Sequence, residues 1–132
     1  MTALNAEAAL ADTSLFVALE HTRPQAAEPP VHIDVSVITI GELRLGLLAA
    51  NDGPSRARRL ETLNRPEVFD PLPVDTRVAA AWAALRLAIR DAGRRMPLND
   101  SLIAATALAR GMPMACQDSD YDGVPGLRVI RL

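Results

Sequence analysis

The chain contains no lysine: all 14 of its basic residues are arginines. That absence removes every mechanism that requires a lysine. A single cysteine, Cys116, cannot close an internal disulfide, which fits a reducing compartment. Aromatic residues are scarce, with one Trp, one Tyr and two Phe, so extensive base stacking is not expected, and Trp82 is assigned to the core. The only histidines, His21 and His32, stand beside no motif. No apolar run approaches the length of a membrane span, so no membrane association is expected. The opening MTALNAEAALADTS lacks a basic start and carries Glu7, which argues against a secretion leader. The expected location is the cytoplasm.

What remains is an ordinary globular composition. With 132 residues, 49% of them hydrophobic, the chain can bury one core, and residues 1–132 are read as one domain. The net charge of -2 excludes nothing. The periodicity switches repeatedly between extended and helical. Ala8–Ala11, His32–Val35, Phe69–Val74, Met112–Cys116 and Leu127–Leu132 read as short strands, the third interrupted by two prolines and so placed at an edge or an end. A helix starts near Ser14. Ser36 caps another running toward Ala50. Asp75 caps a third, marked by Val78, Trp82, Leu85 and Ile89 and stopped by Gly93. Asn99 is read as the cap of a fourth, which ends at Gly111. Arg23–Pro30 reads as a loop, with breaks at Asn51–Pro54 and Arg65–Pro66. Alternating short strands and helices predict an α/β fold with helices covering a mainly parallel sheet. Ligands of such sheets bind beyond the carboxyl ends of the strands.

The stretch Cys116-Gln-Asp-Ser-Asp-Tyr-Asp-Gly123 imitates the start of a calcium loop, D-x-D-x-D-G. The second half is wrong, because Val129 stands where a bidentate glutamate is needed and Pro125 interrupts the loop. Asp118 instead follows a strand, as Asp12 does, so both lie on the same rim. Asp100 sits in the first turn of a helix. Glu42 shares a helix face with Ile38 and Leu45, an expensive place for a carboxylate unless it is paired or binds metal. Each has an ordinary alternative. Asp12 can cap a helix, Asp100 can complement a helix dipole, Asp118, Asp120 and Asp122 can form a solvated turn, and Arg44 or Arg86 can pair with Glu42. Four converging carboxylates would repel one another, and hard divalent cations with all-oxygen ligands relieve that repulsion.

DTSLF at Asp12, SVITIGEL around Glu42, NDSLIAATAL around Asp100 and CQDSDY around Asp118 together resemble the four motifs of PIN-domain ribonucleases. More narrowly, they are similar to VapC toxins of type II toxin–antitoxin systems. The resemblance runs over nearly the whole chain, and NDSLIAATAL is its most specific piece. It implies a three-layer α/β/α sandwich around a sheet of about five short strands. It also implies that Asp12, Glu42, Asp100 and Asp118 are catalytic and hold Mg²⁺ or Mn²⁺, with Asp120, Thr13 and Cys116 as accessory residues. Cys116 departs from the family, which usually has Thr or Ser there. The implied activity is hydrolysis of RNA phosphodiesters, leaving a 5′-phosphate and a 3′-hydroxyl.

The implied partners are an RNA substrate, a second copy of the chain in a homodimer, and a small cognate antitoxin that packs a helix into an apolar groove. Val37–Leu48 is the expected docking surface. Arginines at 56, 58, 59 and 65, and the pair Arg94-Arg95, are candidate phosphate contacts. A haloacid-dehalogenase-type phosphatase is disfavoured by Ser14, which stands where a second aspartate is needed, and by the missing lysine. The same absence disfavours a response-regulator receiver. The remaining rival is a catalytically weak RNA-binding or interaction module on the same fold.

Overall fold

Alanine brackets leucine along the first strand, and the pattern is a two-sided one. The computed structural model describes residues 8–21 and 32–132. The expected loop Arg23–Pro30 lies outside them. Strand β1 (Ala8–Ala11) is central and fully buried over its last three residues. Successive strand side chains point to opposite faces. Leu10 therefore enters one apolar cluster, with Met114, Ile103, Leu85 and Val78, while Ala9 and Ala11 enter another, with Leu15, Phe16, Leu43 and Val35. A strand buried on both faces reads as continuous apolar sequence.

Four strands form the sheet among the described residues: β1, β2 (His32–Asp34), β3 (Met114–Cys116) and β4 (Val129–Arg131), in the order β2-β1-β3-β4. All neighbours are parallel, with Leu10 opposite both Asp34 and Met114, and Ala115 opposite Ile130. The carboxyl ends of β1 and β3 consequently share one edge. β3 repeats the two-sided logic, since Met114 and Cys116 face one cluster and Ala115 the other.

The helices are α1 (Thr13–Glu20), α2 (Val37–Leu48), α3 (Gly53–Leu63), α4 (Thr76–Asp91) and α5 (Leu98–Arg110). Helices α4 and α5 supply the Leu10 side of the core. Helices α1 and α2 supply the Ala9 and Ala11 side. This is a layered α/β/α arrangement. Ser36 caps α2 by accepting from the Ile38 amide at 3.0 Å, and Asp75 caps α4 by accepting from Val78 at 3.0 Å. Gly111 closes α5 at a positive φ of 65°, a conformation that disfavours other residues.

Three expectations change, and one helix is added. Among the described residues the sheet has four strands rather than about five, because Phe69–Val74 contributes only one bridge, Ser36 to Leu72. Pro71 and Pro73 flank that bridge and lack the N–H groups a ladder needs. A short 3₁₀ turn, Pro66–Val68, precedes it. The break at Asn51–Pro54 holds, and the arginine-rich stretch after it adds α3, capped by Asp52 at 2.8 Å from the Ser55 amide. Pro54 in the first turn costs no hydrogen bond, since that N–H has no partner in a helix. Asn99 does not cap α5; Pro97 occupies that position, and Asn99 lies inside the first turn. Finally, Glu42 is half-buried rather than sealed in an apolar face. Ile38 packs against the core, but Leu45 is 67% exposed.

Candidate active site

Asp12 begins the site because of where its strand ends. It follows β1, is 5% exposed and caps α1, with Oδ2 accepting from the Ser14 amide at 3.2 Å. Its other oxygen, Oδ1, accepts a 2.6 Å hydrogen bond from the Tyr121 hydroxyl. The cap and the site are therefore one residue.

Thr13 links Asp12's loop to α2. Its hydroxyl donates to Glu42 Oε1 at 2.6 Å and lies 3.0 Å from the Thr39 hydroxyl. A hydroxyl carries one proton, so Thr39 must donate to Thr13. Thr39 is fully buried, one helical turn before Glu42. Asn99 Nδ2 donates to Glu42 Oε2 at 3.4 Å, which brings α5 to the same carboxylate. Neither arginine suggested by the sequence pairs with Glu42. Arg86 instead donates to the Met96 carbonyl at 2.8 Å and lies 6.0 Å from the centre of the Trp82 ring.

Asp100 stands in the first turn of α5, half-buried. Its carboxyl is pushed up to about 6, first by burial and then by the charges of Asp12, Asp120, Glu42 and Asp118. Asp118 follows β3, and its Oδ1 accepts from the Asp120 amide at 3.2 Å. Asp120 is exposed, and its own carboxyl is raised by burial and by Asp118 and Asp12. Cys116 is fully buried, with Sγ donating weakly to the Asp118 carbonyl at 3.6 Å. Burial, Asp12 and Asp118 push its thiol up to about 11.

The five carboxylates thus share one electrostatic neighbourhood. Among the described residues, none of Asp12, Glu42, Asp100 or Asp118 has an arginine at ion-pair distance. Nor do any three acidic, histidine or cysteine side chains there stand at ready-made metal-holding spacing. The donor chemistry still fits a hard divalent cation, being all oxygen, net negative and locally uncompensated. Sequence reasoning missed Tyr121, Thr39 and the side-chain role of Asn99. Thr39 was within reach, because residues three apart on a helix share a face.

Fold and site together define a class: a parallel α/β domain with an acidic cluster on the carboxyl edge of its sheet. The PIN domain family model matches residues 9–127, and the chain belongs to that family. Ribonuclease VapC4 of Mycobacterium tuberculosis is 45% identical over 130 residues, which cover 98% of this chain and 100% of that protein. Ribonuclease VapC5 of the same organism is 40% identical over 129 residues, covering 95% and 96% respectively. Among solved structures, the toxin–antitoxin family member VapBC-5 of M. tuberculosis superposes with a TM-score of 0.84 at 39% identity, covering 95% of this chain and 98% of that one.

Proposed function

We propose that this chain is an endoribonuclease that depends on Mg²⁺ or Mn²⁺ and acts as the toxin of a toxin–antitoxin pair. The observation that carries the reading is the gathering of Asp12, Glu42, Asp100, Asp118 and Asp120 at one edge of the sheet, with no arginine at ion-pair distance from the first four among the described residues. Two relatives named as ribonucleases, similar along nearly their whole length, support the reaction type. In this reading Asp12, Glu42, Asp100 and Asp118 hold the cation, and Asp120 lies at the rim. When bound, the cation supplies an activated water and charge stabilisation at a phosphodiester.

The chain's own residues do the positioning. The Thr39–Thr13–Glu42 chain and Asn99 fix both oxygens of Glu42, while Ser14 and Tyr121 fix both oxygens of Asp12. Cys116 tethers the Asp118 backbone through its weak thiol bond. RNA backbone would approach along a groove of about 390 Å³ lined by Arg86, Arg90, Arg94 and Arg95. Guanidinium groups suit phosphate, and Met96 of the same groove is only three residues from Asn99. The antitoxin would cover α2, where Leu45 and Leu48 are 67% and 79% exposed, together with the exposed Leu60 of α3. VapBC-5, a solved neighbour, belongs to a family of toxin–antitoxin systems, which supports such a partner. A homodimer would use the exposed apolar side of α4 at Ala80, Ala84 and Leu87.

The test is cleavage by protein freed of any partner. RNA should be cut with Mg²⁺ or Mn²⁺ and left intact with EDTA. Asp100→Asn should slow cleavage by more than about 100-fold. Cleavage by that variant at the parent rate would sink the assignment of the carboxylates. Binding of RNA with no metal-dependent cleavage would favour the non-catalytic module.

A further inference from the structure

Among the described residues, the largest fully buried side chain is Tyr121, at 0% exposure. Its ring belongs to the same cluster as Leu10, Ile103, Met114 and Val124. A phenylalanine would fill that space as well. What packing does not explain is the hydroxyl, which donates to Asp12 Oδ1 at 2.6 Å in a buried bond joining residues 109 apart in sequence. The phenol O–H donates and the carboxylate oxygen accepts, at a length that belongs to charge-assisted hydrogen bonds.

Asp12 is thereby held at both ends, since Oδ2 accepts from Ser14 at 3.2 Å. The Ser14 bond alone leaves the carboxylate free to rock about its second torsion, a soft coordinate for aspartate. The Tyr121 bond removes that freedom. Tyr121 itself has little room to retreat. Arg94 donates to the carbonyls of the next two residues, Asp122 at 2.9 Å and Gly123 at 2.8 Å. Arg131 grips both oxygens of Asp122 at 2.7 Å. The loop that delivers Asp118 therefore also delivers the group that fixes Asp12.

We infer that Tyr121 is a positioning residue: its hydroxyl holds the Asp12 carboxylate in the orientation that binds the divalent cation. The inference rests on the metal-dependent reading above and adds a residue to it. Partners that orient metal ligands typically govern affinity by 10- to 100-fold.

Tyr121→Phe keeps the ring and deletes only the donor. Mn²⁺ binding, followed by electron paramagnetic resonance of the free ion without RNA, should weaken by about tenfold or more. Cleavage should then need proportionally more Mn²⁺ and recover to within about threefold of the parent rate at saturation, because the deficit is in binding. Phe16→Leu serves as control, since Phe16 is buried in the opposite cluster. It should lower thermal stability and leave Mn²⁺ affinity unchanged. Equal Mn²⁺ affinity in Tyr121→Phe and the parent overturns the role of Tyr121 while leaving the nuclease reading intact. A parent that binds no Mn²⁺ overturns that reading, and the inference with it.

Discussion

Replacing Asp100 by asparagine removes a charge that the fold tolerates at a cost. Asp100 lies among Asp12, Asp120, Glu42 and Asp118, and its carboxyl is raised from 3.8 to about 6. The rise is roughly two pH units, or about 3 kcal/mol at ~1.36 kcal/mol per unit. The side chain is only half-buried, so solvent screening reduces the usable figure to about 1 kcal/mol. The folded protein keeps its Asp100 proton to higher pH than the unfolded chain does. Stability therefore falls as pH rises from about 4 to about 6, and the cost is complete above that window. Asp100→Asn has no such cost. In EDTA at pH 7.5 the variant should be the more stable by about 1 kcal/mol, with a melting temperature higher by roughly 3–5 °C. The advantage should shrink toward zero at pH 4, where Asp100 itself holds its proton. On the proposed metal site, saturating Mn²⁺ should narrow or reverse it, since only the parent would keep the full set of charged ligands. Thermal melts followed by circular dichroism across this pH range, with and without Mn²⁺, decide the matter. A variant no more stable than the parent at pH 7.5 in EDTA would refute the claim that burial and the neighbouring carboxylates make the Asp100 charge costly in the folded state.

Two further outcomes follow from the same loop. With its thiol pushed up to about 11 and no exposed surface, Cys116 should resist iodoacetamide at pH 8 in the native protein and react fully in guanidinium; native labelling at the rate of a free thiol would contradict its burial. Arg94→Ala should cost at most about 1 kcal/mol, because the arginine is exposed. It should nevertheless speed hydrogen exchange at Asp122 and Val124, whose amides bond to Ser119 and Tyr121 within the loop, and unchanged exchange there would show that Arg94 does not brace it.

The elements best read from sequence were those whose ends carry their own chemistry. Ser36 and Asp75 cap by their side chains, and Gly111 takes the conformation that glycine favours, so no tertiary information was needed. The errors arose where one signal has two meanings. The break at Asn51–Pro54 does separate α2 from α3, but α3 itself went unread, because aspartate followed by proline both ends one element and starts the next helix. Phe69–Val74 has strand-like composition, but Pro71 and Pro73 restrict it to one bridge. Asn99 resembles a cap; its amide is instead spent on Glu42, a residue 57 positions away that local pattern could not reveal.

The candidate site divides along the same line. The carboxylates stand out in sequence because an acidic residue after a strand or beside apolar neighbours needs a reason to be there. Thr39 was accessible from helical spacing once Glu42 was suspected. Tyr121 was not. In sequence it is one residue in a turn-like run of aspartates, and its ring alone argues only for burial. Its hydroxyl acquires meaning because β1 pairs directly with β3, so the loop after one parallel strand lies beside the end of the other. The parallel order turns a separation of 109 residues into a 2.6 Å contact. The sheet thereby places the loop after β3 to carry two kinds of group toward the same edge: a carboxylate, Asp118, and the donor that steadies the carboxylate after β1. A change that shifts this loop should for that reason disturb Asp12 as well as Asp118, whereas a change confined to α1 should reach Asp12 mainly through the Ser14 amide.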